Sequence, residues 1–593
     1  MTPNFSTSVS VFAVLVSCLV FSATASFTEE DLIADAGDLG RIKGVNLTSV
    51  SQAINGTGRP FIAFRGMRYA EAPIGARRFL PSVRATGRLN ATGDYEARGA
   101  GLPCIQPGIN PPWISEDCLT INVYTPKPYN GNDTDLLPVI FYIHGGSFTI
   151  GEGNRFNGNR MMNRDVVHVT FNYRLGVLGF FTMNTETSPG NAAMYDMINA
   201  LDWTRDYIRY FGGDPNKITI AGQSSGAVAV THLLVSPMAT GKFQGAIAGS
   251  GSALAAWGTT ESHMPGSLAI AALSGCFNAT ATPLPNITAI EECMRINATA
   301  ADLVAALYIY QRAERKEARL GFDVISPIVQ SFVAQNASFV KFLPEHPKKV
   351  FEEGRQADVP LMMGIPNEYG VYDSIAKIYL GDERKSGNFS EMYPGFIDLF
   401  SVFFFKASAY QTALYQSKIN NNTYWYSFDF QGRQTVWNSL FPGEVPPFRG
   451  GITHGDDMIY LFYIAFGAFD ADEFAVSNRM LDYWANFATT GNPTPASSSM
   501  TPWAHLTIGE ERFVSIGKDT VEQAYYDDSW SGAGWEVVPP TEPTTTVTPT
   551  ETPHRQLQRR VHQSLAAVQT QVQSHHQQHL PRQMEPLQFR TSS

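Results

Sequence analysis

Residues 218–230 read ITIAGQSSGAVAV: a β-branched run, a glycine, a serine between polar residues, a second glycine, then alanines and valines. Two structures fit this stretch. In the plainer one, Gly222 and Gly226 serve a strand-to-helix turn and Ser224 is an N-cap. In the other, a strained elbow lifts the Ser224 hydroxyl above the edge of a sheet as a nucleophile. With 50 glycines among 593 residues, a chance G-x-S-x-G carries little weight alone, so its surroundings must decide.

Moving outward, VIFYIHGG (139–146) and VVHVTFNY (166–173) precede it and AIAGSGS (246–252) follows, with a helical pattern at MYDMINALDWTRDYIRYF (194–211). Apolar strands alternating with helices predict an α/β fold whose sheet is covered on both faces. The composition, 44% hydrophobic and 16% charged, is that of a globular chain, and a net charge of −11 argues against nucleic acid or an anionic membrane as partner.

Residues 1–25 read as a signal peptide: the apolar run VFAVLVSCLVFSATA (11–25) is short for a membrane span and ends in the small-residue pattern Ala23-Thr24-Ala25. The n-region has no Lys or Arg. After it, Cys104, Cys118, Cys276 and Cys293 remain, and four cysteines allow three pairings. The sequence-near pairs, 104 with 118 and 276 with 293, would close small loops worth about 3 kcal/mol each in the chain-entropy model. Four free buried thiols are the alternative. Ten N-x-S/T sequons (Asn46, Asn55, Asn90, Asn132, Asn278, Asn286, Asn297, Asn336, Asn388, Asn421) favour a secreted protein. No linker-like break interrupts 26–536, which reads as one domain. Residues 537–593, Thr/Pro-rich and then Gln/His-rich, read as a disordered tail. There, a solvated segment explains His575, His576 and His579 better than a metal site.

The wider segment FGGDPNKITIAGQSSG (211–226) matches the serine signature of the type B carboxylesterase/lipase family, and EDCLTINVYTP (116–126) matches its second signature. FRGMRYAEAPIGARRF (64–79), NYRLGVLGF (172–180), GNAAMYDMINALDW (190–203) and ANFATTGNPTP (485–495) follow the same family order. The chain therefore resembles a secreted carboxylesterase of that family. The resemblance implies an α/β-hydrolase fold, with a large central, mostly parallel sheet and helices on both faces.

A serine hydroxyl needs a base, and the base needs an orienting acid, in the chain order Ser, acid, His. The resemblance puts the acid at Glu368 in PLMMGIPNEYG (360–370) and the base at His454 in GITHGDDMIYLF (451–462). His168 lies mid-strand and reads as a core residue. The oxyanion donors fall on Gly145, Gly146 and Ser147 of IHGGSF (143–148) and on Ser225, each typically worth about 3–4 kcal/mol in the transition state. The implied reaction is hydrolysis of a small-molecule ester through an acyl-enzyme, with no metal or organic cofactor.

The chain departs from the family pattern in five places. Gln223 replaces the glutamate before the nucleophile, which removes a charge that would attract cationic alcohols; insect juvenile hormone esterases resemble this chain there. Ser225 and Ala227 replace the usual Ala and Gly, and Ser147 replaces a third glycine. The loop CIQPGINPPWISEDC (104–118) is much shorter than in cholinesterases or long-lidded lipases, and Trp113 is too near Cys118 to present itself to choline. Neutral esters of short to medium acyl chains are the expected substrates. The alternatives are a lipase, a cholinesterase-like esterase, or a silent adhesion homologue of neuroligin type, which would lack the serine. The segment SVFFFKASAY (401–410) reads as a buried helix rather than an acyl pocket.

Overall fold

The computed structural model describes residues 27–51, 56–109, 112–261, 263–278, 286–316, 321–332, 339–366, 401–436, 452–462 and 468–523. The signal segment, Glu368 and the tail lie outside these residues. A small sheet joins β1 (Ile33–Asp35), β2 (Arg41–Lys43) and β5 (Tyr95–Glu96). The large sheet begins with β3 (Val45–Thr48), β4 (Pro60–Arg68) and β6 (Thr120–Thr125). Its centre holds β7 (Leu137–Ile143), β8 (Val167–Phe171), β9 (Gly213–Gln223), β10 (Gly245–Gly249), β11 (Leu361–Pro366) and β12 (Thr423–Phe428). It ends with β13 (Phe513–Ile516) and β14 (Thr520–Gln523).

The order across its 11 strands is β14-β13-β12-β11-β10-β9-β7-β8-β6-β4-β3. From β8 to β13 every pairing is parallel; β6, β4 and β3 on one flank and β14 on the other are antiparallel. The sequence expresses this division directly. Every residue of VHVTF in β8, GAIAG in β10 and TYWYSF in β12 is buried, as strands with both faces covered require. The edge strands β3 and β14 alternate between half-buried and exposed positions.

Two cores lie on opposite faces, and the strands feed them alternately. Val139, Phe141 and Ile143 of β7 join Ile198, Leu201 and Val228 from the helices Ala192–Tyr207 and Ser225–Val235. Ile140 and Tyr142 face the other way, toward Met480, Trp484 and Phe487 of the helix Ala471–Thr490. That helix starts on a capping box between Asp470 and Glu473 and stops at Gly491 in a left-handed conformation (φ +72°). A third core, with Leu178, Leu268, Ile290, Leu303 and Leu307, packs the helices Met264–Leu273 and Ala300–Lys316 over one end of the domain. The turns that leave β7, β9, β10 and β11 all lie at the carboxyl ends of parallel strands, where open α/β sheets build their sites.

Candidate active site

Strand β9 ends at Gln223, the helix Ser225–Val235 begins one residue later, and Ser224 makes the whole turn at φ +57°, ψ −125°. A non-glycine residue held there stores on the order of 1–3 kcal/mol, and it persists only where its surroundings fix it. They do so here. The Ser224 N–H donates to the Gly249 carbonyl at 2.8 Å, and its own carbonyl accepts from Val228 N–H at 3.0 Å. A Cβ on Gly222 would stand 2.5 Å from the Gly226 backbone, and one on Gly226 would stand 2.1 Å from the Ile143 oxygen. Both glycines are thus demanded by close packing of helix, strand and turn. Ser224 does not cap the helix with its side chain, so its hydroxyl stays free for chemistry.

The loop after β7 comes directly against this elbow: a Cβ on Gly145 would lie 3.1 Å from Ser224 Cβ. Its carbonyls are all taken. The His144 oxygen accepts from the Tyr173 hydroxyl at 2.7 Å, and the Gly145 oxygen from His144 Nδ1 at 2.9 Å. The Gly146 oxygen accepts from Thr149 N–H at 2.9 Å and Ile150 N–H at 3.0 Å, and the Ser147 oxygen from the Thr149 hydroxyl at 3.0 Å. Because a trans peptide points its N–H opposite its C=O, pinning these carbonyls fixes the directions of the Gly145, Gly146 and Ser147 amides. Among the described residues none of those three amides, nor that of Ser225, donates to a protein acceptor. Unspent backbone donors beside an elevated serine are what an oxyanion requires.

His454 enters from the loop before the short helix Asp456–Leu461, turned by Gly455 at φ +88°. Its ring stacks on Phe405 at 4.3 Å between centroids, and burial holds its pKa down at about 4. The imidazole is therefore neutral at pH 7, the form a general base needs. Its Nε2 takes a hydrogen bond from the Gln223 side-chain amide at 3.2 Å; among the described residues it makes none with Ser224. Catalytic hydrogen bonds are often loose in the absence of substrate. Strand β11 stops at Pro366, two residues before Glu368.

The carboxylesterase family model matches residues 34–375 and 367–531. The chain belongs to the carboxylesterase family. It is 30% identical over 517 residues to esterase FE4 of Myzus persicae, covering 79% of this chain and 87% of that protein. It is 29% identical over 514 residues to a carboxylic ester hydrolase of Bombus ignitus (77% and 85%), and 29% identical over 495 residues to the juvenile hormone esterase of Tribolium castaneum (74% and 81%).

Three other buried histidines of this carboxylesterase-family chain serve the structure. His168 is buried in β8 and donates Nε2–H to the Phe156 carbonyl at 2.8 Å. Buried His232 and His263 bond the Val228 and Phe180 carbonyls at 2.8 and 3.1 Å. Cys104 is bonded to Cys118, and Cys276 to Cys293. Trp113 in the first disulfide loop is 70% exposed. Residues 402–406 form a π-helical turn before the helix Ala407–Ser417, and half-buried Phe405 leaves that turn to meet His454. The segment read as a buried helix thus also reaches the site. Sequence reasoning also missed the side chain of Ser225, whose hydroxyl accepts from Phe148 N–H at 3.1 Å. Its only sequence signal is the departure from alanine.

Proposed function

We propose that the chain is a secreted carboxylic ester hydrolase in which Ser224 is the nucleophile, His454 the general base and Glu368 the acid that orients it. The observation that carries this reading is the strained Ser224 elbow beside backbone amides that, among the described residues, donate to no protein acceptor. Neutral His454 accepts the Ser224 proton as the hydroxyl attacks the ester carbonyl. The negative charge gathering on the carbonyl oxygen meets the amides of Gly145, Gly146, Ser147 and Ser225. Collapse expels the alcohol, which takes the proton from His454. Water then repeats the sequence on the acyl-enzyme and releases the acid.

The preferred substrates are neutral esters of short to medium acyl chains in free solution. Gln223 offers no charge to a quaternary ammonium, and exposed Trp113 lies in a loop too short to serve as a large lid. Two features support secretion: the two disulfides, and sequons such as Asn46, Asn132, Asn286, Asn297 and Asn421 on exposed positions. No helix among the described residues is long and apolar enough to cross a membrane.

The test is hydrolysis of p-nitrophenyl esters from acetate to palmitate by wild type and Ser224→Ala, with labelling by a fluorophosphonate. Wild type should turn over the shorter esters and take up the label, and Ser224→Ala should do neither. A variant keeping more than a few per cent of kcat would remove Ser224 from its role.

A further inference from the structure

Two of the departures from the family pattern are Ser147 for glycine and Ser225 for alanine, and the Ser225 hydroxyl bonds the residue next to Ser147. Ser147 and Phe148 both sit at positive φ, +55° and +56°, a conformation that glycine takes freely and side-chain-bearing residues resist. Phe148 is locked on one side: its ring packs on Phe180 at 5.0 Å, and its carbonyl accepts from Gly176 N–H at 2.7 Å. Its N–H would be a buried orphan but for the Ser225 hydroxyl at 3.1 Å. At the other end of the same loop the Tyr173 hydroxyl donates to the His144 carbonyl at 2.7 Å. The Ser225 hydroxyl thus ties the Phe148 end of the oxyanion loop to the first residue of the nucleophile helix, while Tyr173 pins the His144 end. An alanine at 225 offers no such contact.

We propose that Ser225 is a positioning residue for the oxyanion amides, and that its hydroxyl compensates for the loss of the third glycine at Ser147. The two departures are one coupled pair. With glycine at 147 only Phe148 remains strained, and the turn has less need of a tether. With serine there, the tether keeps the Ser147 amide aimed at the developing oxyanion.

The inference rests on the esterase reading, and a double-mutant cycle separates the two. kcat and KM for p-nitrophenyl butyrate would be measured on wild type, Ser225→Ala, Ser147→Gly and the double variant, with melting temperature as a check on folding. Removing an oxyanion donor outright slows turnover by about 10²–10³, so releasing one to wander should lower kcat about tenfold in Ser225→Ala. KM should stay within about twofold, because the amide acts mainly in the transition state. On the Ser147→Gly background the same substitution should lose at least fivefold less. Equal losses on both backgrounds, or an unchanged kcat in Ser225→Ala, would overturn the coupling while leaving the esterase standing. A wild-type protein with neither turnover nor fluorophosphonate labelling would overturn the esterase reading and this inference with it.

Discussion

Gln223→Glu places a carboxylate where the present side chain holds an amide, 3.2 Å from Nε2 of His454. At an effective dielectric of about 20, a unit charge at that distance favours the imidazolium by roughly 5 kcal/mol, or between three and four pKa units. That is an upper bound. Gln223 is only 7% exposed, so the new carboxylate would itself be desolvated and pay part of this back by a raised pKa of its own. A net rise of ~1 to 2 units in the histidine is the expected remainder. His454 starts from about 4, depressed by burial. The base works only when neutral, so raising its pKa moves the acidic limb of the rate profile to higher pH, into the range ~5 to 6.

The assay is kcat/KM from pH 4 to 9 on a neutral soluble ester for wild type and variant. A second measurement compares butyrylcholine with its uncharged 3,3-dimethylbutyl analogue at pH 7.5. The variant should gain on the choline ester relative to the analogue, because only the cation feels the new charge. An unmoved acidic limb together with an unmoved substrate ratio would mean that residue 223 does not face the chemistry, and the site built here would be wrong at its centre. A wild-type preference for the choline ester would refute the neutral-substrate reading alone.

Three further outcomes follow from the packing. Gly226→Ala should remove esterase activity and lower the melting temperature by several degrees, since its Cβ would need to occupy the space 2.1 Å from the Ile143 oxygen; a soluble, fully active variant would contradict the elbow geometry. Replacing Cys276 and Cys293 together by serine should destabilise by about 3 kcal/mol for a loop of this size, and peptide mapping without reduction should recover the 276–293 and 104–118 links; crossed links would exclude the pairing. Stability should also fall as the pH drops from 6.5 toward 4. His144, His168, His232 and His263 are held neutral by burial with pKa values of about 4, so the unfolded chain binds protons first; a melting temperature constant across that window would refute it.

The sequence made the central turn readable because its glycines are imposed by contact, and contact of that kind survives as residue identity. Gly222 and Gly226 announce Ser224 in one dimension. The buried parallel strands were readable for the same reason, as unbroken apolar runs such as VIFY and VVHV. The antiparallel flank was not: β3 has four residues with a half-buried alternation, a pattern shared by many loops, and its partner β4 is broken between Phe64 and Met67, where Gly66 turns at φ +73°. Glu368, taken from the family resemblance, lies outside the described residues, so the acid rests on that resemblance.

What the sequence hides most completely is pairing between distant residues of ordinary type. Ser225 and Phe148 are 77 positions apart, and Gln223 and His454 are 231 apart. Each looks like a neutral exchange when met alone: serine for alanine, glutamine for glutamate. In the fold the first exchange ties the loop after β7 to the helix that follows Ser224, and the second sets an uncharged donor on His454. Both act within one residue of Ser224, and both adjust the position or proton affinity of machinery that the family already supplies. Substrate preference in this chain should therefore be sought at 147, 223 and 225 before the wider pocket, because a change there acts on the reacting groups directly, whereas a change in the wall acts only through the substrate.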